Sequence, residues 1–152
     1  MTVNNLGLAI QIAASVHINQ LDKGGKPYIL HPMRVMMRLR TNDSELMQIA
    51  ILHDVIEDSR GEYTIEILRG LGFSKRVLDA LTLLTHDPAV PYELYIEDIA
   101  KSLDTILVKM EDLRDNSDIT RLKGLREKDH ARLAKYCRAY DVLQTALALY
   151  RV

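Results

Sequence analysis

Apolar residues recur at three- and four-residue steps along most of the chain, which is the pattern of helices that each bury one face. Over residues 4–20, Leu6, Ala9, Ile10, Ala13 and Val16 form such a face, and Asp22-Lys23-Gly24-Gly25-Lys26-Pro27 then breaks it. Pro32 suits the first turn of a second helix running toward Arg40, because its missing N–H would be unpaired there anyway. The strongest face lies in residues 44–58, where Leu46, Ile49, Ala50, Leu52, Val55 and Ile56 point inward and Ser44 offers half of a capping box. Thr64 and Ser74 are candidate caps for two shorter helices, the first ending at Gly70 or Gly72 and the second at Leu84. Pro91 starts a helix that reaches Lys101, and residues 102–116 carry Ile106, Leu107, Met110 and Leu113 to the core. A last long helix over residues 127–150 turns Leu133, Tyr136, Cys137, Tyr140, Leu143, Ala146 and Leu147 inward. No strand-like alternation or internal repeat interrupts this series, so the fold class expected is an all-α bundle of seven to nine helices.

Composition narrows the function. At 152 residues the chain is read as one domain, spanning residues 1–152. Seven Gly, four Pro, one Phe and no Trp suit short loops between helices better than a β-sandwich. Twenty Lys and Arg against 21 Asp and Glu leave a net charge of −1, which gives no general pull toward nucleic acid or an anionic membrane. A lone cysteine, Cys137, excludes an internal disulfide and a multi-cysteine zinc site, and its place on the last helix predicts a buried, inert thiol. The absence of a membrane-length apolar run or a leader-like start makes cytoplasmic the expected location. Composition does not decide whether the chain forms a homo-oligomer.

The chemistry concentrates at His53-Asp54-Val55-Ile56-Glu57-Asp58. On a continuous helix these four ionisable side chains would fall within a sector of roughly 140°. Three carboxylates and an imidazole crowded on one flank of an apolar helix repel one another or hold a cation. A lone His-Asp pair is more often just a solvated helix end, but two other residues strengthen the metal reading. His31 stands immediately before Pro32 in a rigid turn, and Asp112 interrupts the apolar face containing Val108, Met110 and Leu113, where a carboxylate needs a partner. His31, His53, Asp54 and Asp112 are thus four candidate ligands from three segments. Imidazole with carboxylate oxygen suits Mn, Fe, Zn or Co.

The order His31, His53-Asp54, Asp112 resembles the H…HD…D signature of the HD-domain metal-dependent phosphohydrolases. The surrounding text is similar to the hydrolase domain of Rel/SpoT homologues, including stand-alone small alarmone hydrolases. It comprises Ala14, His17 and Gln20, then Gly25-Lys26-Pro27-Tyr28-Ile29-Leu30-His31-Pro32, then Ala50-Ile51-Leu52-His53-Asp54-Val55-Ile56-Glu57-Asp58, and finally Val108-Lys109-Met110-Glu111-Asp112 with Asn116. The resemblance implies an all-α hydrolase that removes the 3′-pyrophosphate from guanosine tetra- and pentaphosphate. It also implies a manganese ion on His31, His53, Asp54 and Asp112, an acid/base pair in Glu57 and Asp58, and a nucleotide contact from Asn116.

Pro91-Tyr92-Glu93-Leu94-Tyr95-Ile96 resembles a segment of the stand-alone members, so Tyr92 and Tyr95 either line the pocket or pack the helix start. Lys23, Lys26, Lys109 and Arg114 lie in or beside the matching segments and are the candidate phosphate-binding cations. Asp22 departs from the family pattern, which has an arginine there; a carboxylate cannot stack as a guanidinium does, but it can accept hydrogen bonds from a base. His17 is expected to be a hydrogen-bonded helix residue rather than a ligand, and His86 and His130 have no partner visible in the sequence. The expected partner is a small nucleotide substrate, with neither nucleic acid nor membrane, and the length leaves no room for alarmone synthesis. Two alternatives stay open: the same chemistry on an adenine alarmone or a dinucleotide 2′-phosphate, and a non-catalytic nucleotide-binding module.

Overall fold

A computed structural model describes residues 5–151. The helices are α1 (Asn5–Val16), α2 (Leu30–Arg38), α3 (Ser44–Leu52), α4 (Val55–Asp58), α5 (Ile65–Gly70), α6 (Lys75–Leu84), α7 (Tyr92–Ile99), α8 (Leu103–Asn116) and α9 (Glu127–Tyr150). A single 3₁₀ turn, Ile119–Arg121, follows α8. Among the described residues the only β-type pairing is an isolated antiparallel bridge between Leu21 and Pro27. The expected start of the first helix at Asn4 lies outside the described residues. No described helix is long and apolar enough to cross a membrane.

The core is built around α3, which packs against α1, α2, α6 and α8. Ile49, Ala50, Ile51 and Leu52 are fully buried, so α3 is apolar on nearly all sides, as a central helix must be. Asp43, rather than Ser44, caps it: its carboxylate accepts from the Glu45 and Leu46 amides at 3.0 and 3.1 Å. Thr64 and Ser74 cap α5 and α6 as the sequence suggests. Along α9 the buried apolar positions are Ala139, Leu143 and Leu147, with Tyr136, Tyr140 and Ala146 packed beside them. Cys137 falls off that stripe and is exposed, contrary to the expectation of a buried thiol.

One departure matters for the site. Residues 44–58 do not form a single helix: α3 ends at Leu52, His53 and Asp54 form a turn, and α4 starts at Val55. The His53 ring explains part of this break, because its Nδ1 bonds the carbonyl of Ala50 at 2.7 Å. The metal-type side chains therefore project from a turn between two helices, and the single-helix sector does not describe them.

Candidate active site

Three segments converge on one point. His31 is the second residue of α2, His53 and Asp54 form the α3–α4 turn, and Asp112 sits in the middle of α8. The His31 Nε2 lies 3.3 Å from the His53 Nε2, 3.1 Å from the Asp112 Oδ1 and 3.6 Å from the Asp54 Oδ2. The His53 Nε2 is 3.0 Å from the Asp54 Oδ2 and 3.5 Å from the Asp112 Oδ1. Atoms of His31, His53 and Asp54 lie close enough to share one ion. His31, His53 and Asp112 are buried and Asp54 is half-buried.

The hydrogen bonds behind these groups fix their chemistry. The His53 Nδ1 faces a carbonyl oxygen, which can only accept, so that nitrogen carries the proton. The His31 Nδ1 faces the Asp115 Oδ2 at 2.7 Å and donates in the same way. With neutral rings, both Nε2 lone pairs are aimed at each other and at two carboxylate oxygens. Such a set of acceptors needs a positive charge at its centre, and the donors present suit a divalent transition metal.

The same crowding drives the pKa shifts of these groups. Burial opposes charge on His31, but hydrogen bonds to Asp112 and Asp115 outweigh it and raise its pKa. Burial likewise opposes charge on His53, yet the Asp54 carboxylate and Asp112 raise its pKa well above the ordinary histidine value. Burial pushes the Asp54 pKa up, but the His53 charge and hydrogen bond prevail and hold it low. Asp112 is held well below the usual carboxylate range, against burial, chiefly by Lys109, whose Nζ donates to its Oδ2 at 2.7 Å. The Tyr28 hydroxyl donates to the Asp54 Oδ2 at 2.5 Å, and burial together with the Asp54 charge raises the tyrosine pKa.

Two lobes of one cleft flank this cluster. The first, about 350 Å³, is lined by Leu21, Asp22, Lys23, Tyr28, His31, Arg121, Leu122 and Arg132 among others. The second, about 240 Å³, is lined by His53, Asp54, Glu57, His86, Tyr92, Tyr95, Lys109, Asp112 and Lys135 among others. Asn116 and Tyr136 line both lobes. Asn116 also donates to the Asp112 Oδ1 at 2.6 Å, so it orients a candidate ligand as well.

The acid pair divides. Glu57 lines the second lobe, and its Oε1 accepts the His86 backbone N–H at 2.6 Å. Although the residue as a whole is exposed, desolvation of its carboxyl within the cleft wall raises the pKa. Asp58 lines only a neighbouring surface groove, which Glu57 also borders, and its Oδ2 accepts from the Gln20 Nε2 at 3.1 Å and lies 3.8 Å from the His17 Nδ1. Buried His17 follows α1, donates from Nδ1 to the Gln20 side-chain oxygen at 2.8 Å, and lies outside the metal-type cluster.

The candidate substrate residues divide as well. Lys23, Lys109, Tyr92 and Tyr95 line the cleft. Tyr95 is buried and donates its hydroxyl to the Leu84 carbonyl at 2.6 Å, so it both packs and lines. Burial raises the Tyr92 pKa to about 12, which keeps its hydroxyl a donor. Arg114 points elsewhere: it pairs with Glu111 and Tyr140 on the outer face of α8. Lys26 is exposed and absent from both lobes. Asp22 lines the first lobe without offering a free carboxylate. Its Oδ1 accepts the Gly24 and Lys26 amides at 2.8 and 2.9 Å, and its Oδ2 accepts from the Arg121 Nη1 at 3.0 Å. The Asp22 carboxylate thus serves as a turn cap and an ion-pair partner within the wall of the lobe. Gly24 is required in that turn, because an added Cβ would lie 2.4 Å from the Arg121 carbonyl oxygen.

Sequence reasoning missed His86, Arg121, Arg132, Lys135 and Tyr136, which lie beyond the matching strings or carry no distinctive neighbours. It also missed Asp115, for which a signal existed: three residues after Asp112, it shares the flank of α8 that faces His31.

No protein-family model matches the sequence. Among curated proteins, the chain is 30% identical over 135 residues, 84% of its length, to a guanosine-3′,5′-bis(diphosphate) 3′-pyrophosphohydrolase of Aquifex aeolicus. It is 30% identical over 143 residues to the bifunctional (p)ppGpp synthase/hydrolase SpoT of Escherichia coli K12, and 32% identical over 136 residues to a 3′-pyrophosphohydrolase of Haemophilus influenzae. The chain spans about a fifth of the length of these relatives. Its fold matches that of a metazoan ortholog of SpoT with a TM-score of 0.78, covering 97% of this chain and 94% of that one at 24% identity. On these sequence relationships the chain belongs with the Rel/SpoT homologues of the HD-domain family, and its His31, His53-Asp54 and Asp112 cluster stands on an all-α frame that matches the fold of the structural neighbour.

Proposed function

We propose that this chain is a manganese-dependent pyrophosphohydrolase that removes the 3′-pyrophosphate of guanosine tetra- or pentaphosphate. The observation that carries the reading is the set of four acceptor atoms on His31, His53, Asp54 and Asp112, separated by 3.0 to 3.6 Å in the pairs given above, at the junction of two cation-bearing lobes. The names of the relatives supply the substrate class. A manganese ion held by those four residues supplies Lewis acidity toward phosphate oxygen and toward water.

The chain's own residues account for the rest. Tyr28, Leu21 and Leu122 offer the first lobe a flat, partly apolar wall for a purine, with Lys23 and Arg132 near the 5′-phosphates. Lys135 and His86 line the second lobe, where they receive the 3′-pyrophosphate, and Lys109 adds positive charge beneath it. The Lys135 Nζ lies 4.5 Å from the centre of the Tyr92 ring, which steadies the long side chain at the lobe wall. Glu57, fixed by the His86 amide, takes a proton from the attacking water. The ribose 3′-oxygen leaves on the opposite side of the phosphorus and takes its proton from solvent, to which Glu57 releases the one it took. Asp58 acts through Gln20 and His17 as a brace for the α4 end of the site.

A panel of guanine and adenine nucleotides, assayed with manganese, tests this directly. Guanosine tetraphosphate is expected to yield the diphosphate and inorganic pyrophosphate, and orthophosphate as the only phosphorus product would reject the reading.

A further inference from the structure

Beneath His31 lies a carboxylate outside the set of proposed ligands. Asp115 is fully buried, and its Oδ2 accepts from the His31 Nδ1 at 2.7 Å, on the side of the ring opposite the metal-type cluster. Its other contacts are guanidinium groups. Arg34 reaches both oxygens, Nε to Oδ1 at 2.7 Å and Nη2 to Oδ2 at 2.9 Å, and the Arg38 Nη1 donates to Oδ1 at 2.9 Å. Arg121 donates to the Asp115 backbone carbonyl, has a second approach to Oδ2 at 3.4 Å, and bonds Asp22 across the first lobe. His31, Arg34 and Arg38 follow one flank of α2, at steps of three and four residues, so one helix presents both the ring and two of the charges that secure its partner.

We propose that Asp115 is a positioning residue that fixes the orientation and tautomer of His31, so that Nε2 presents its lone pair to the metal. The inference rests on the proposed function above, since it assigns a role relative to that metal. Both oxygens of this carboxylate accept from guanidinium donors, so the group that faces the His31 ring is an acceptor. An acceptor-only partner forces the proton onto the His31 Nδ1. Without Asp115 the ring would face guanidinium donors. Its Nδ1 would then be drawn to accept from them, which would turn an Nε2–H toward the site and repel a cation.

Two readouts test this on the full chain. Manganese affinity, measured by chelator competition, is expected to weaken by about 10- to 100-fold in Asp115→Asn, the range for removing the partner of a ligating histidine. Arg38→Met, which removes one half-exposed member of the cage, is expected to weaken it by a smaller factor. Arg76→Met serves as a stability control: it breaks the distant ion pairs to Asp43 and Asp104 and is expected to lower the melting temperature with manganese affinity unchanged. The second readout needs no Asp115 variant. In the zinc-loaded wild-type chain, nitrogen-15 spectra assigned through His31→Gln are expected to show His31 protonated at Nδ1. Wild-type manganese affinity in a folded Asp115→Asn protein would overturn the proposal, as would an unprotonated Nδ1. Either result, in a chain that binds metal and hydrolyses substrate, would leave the proposed function standing. A wild-type chain that binds no divalent metal would instead overturn that function.

Discussion

Lys109 is the counter-charge beneath a candidate ligand, and its removal exposes how the site balances charge. Its Nζ lies 2.7 Å from the Asp112 Oδ2, with the two side chains 14% and 5% exposed, and 5.3 Å from the centre of the Tyr95 ring. Burial this deep puts the pair in the class where deleting one partner costs about 3–5 kcal/mol, well above the roughly 0–1 kcal/mol of an exposed pair. Lys109→Met keeps most of the side-chain volume and strands the Asp112 charge. For a chain of this size the melting temperature of chelator-treated protein is expected to fall by roughly 10 °C, at a few degrees per kcal/mol. A manganese ion bound there would supply part of the missing positive charge and would no longer meet repulsion from the ammonium group. The ion should accordingly bind Lys109→Met more tightly than wild type and recover part of the lost stability. The assay is thermal unfolding of both proteins over a manganese titration. Equal destabilisation with chelator and with saturating manganese would refute the charge-balance argument, because it would mean that the ion does not share the Asp112 field.

The geometry at Glu57, Asp22 and Asp43 gives further expected outcomes. Glu57→Gln is expected to retain bound manganese and lose about 10²- to 10⁴-fold in rate, measured by pyrophosphate release against metal content. Because burial raises the Glu57 pKa, its base form accumulates only as pH rises through a value above the ordinary glutamate range, so the wild-type rate should climb with pH there and the Glu57→Gln profile should lose that limb. Asp22→Arg, which restores the family residue in isolation, should destabilise the chain by about 3 kcal/mol or more in urea unfolding, because it sets a second guanidinium against Arg121 in a site where the paired side chains are only 9% and 22% exposed. Unchanged stability would mean that the Asp22–Arg121 pair does not hold the turn. In acid, Asp43 is held below the usual carboxylate range mainly by its hydrogen bond from Arg76, so its contribution is present above about pH 4 and fades as pH falls through the lowered value. Asp43→Asn should flatten that part of the stability curve.

The fold was legible because apolar spacing and caps are local signals. Thr64 and Ser74 stand where the chain turns into a helix, and α3 buries the residues its pattern marks. The break at His53-Asp54 was not legible, since every residue there is compatible with a continuing helix and the interruption accompanies a ring-to-carbonyl bond. Cys137 was misjudged because the inward stripe of α9 is narrow and lies toward Ala139, so one position of rotation decides exposure. At the site, His31, His53, Asp54 and Asp112 could be read from residue type and order, and the chain brings them together. The cations could not. Arg121 and Arg132 reach the first lobe from segments with no marking pattern, whereas Arg114, in a matching segment, turns outward to Glu111. Asp22 shows the same limit: its type was plain, but its partner stands 99 residues away.

The metal site is tested by the divalent-metal stoichiometry of the purified chain beside that of Asp54→Ala, with pyrophosphate release followed in the same samples. About one manganese ion per wild-type chain, none in the variant, and hydrolysis of guanosine tetraphosphate only where the ion is present is the expected result. A wild-type chain that binds no divalent ion, or an Asp54→Ala chain that binds and hydrolyses as wild type does, would contradict it.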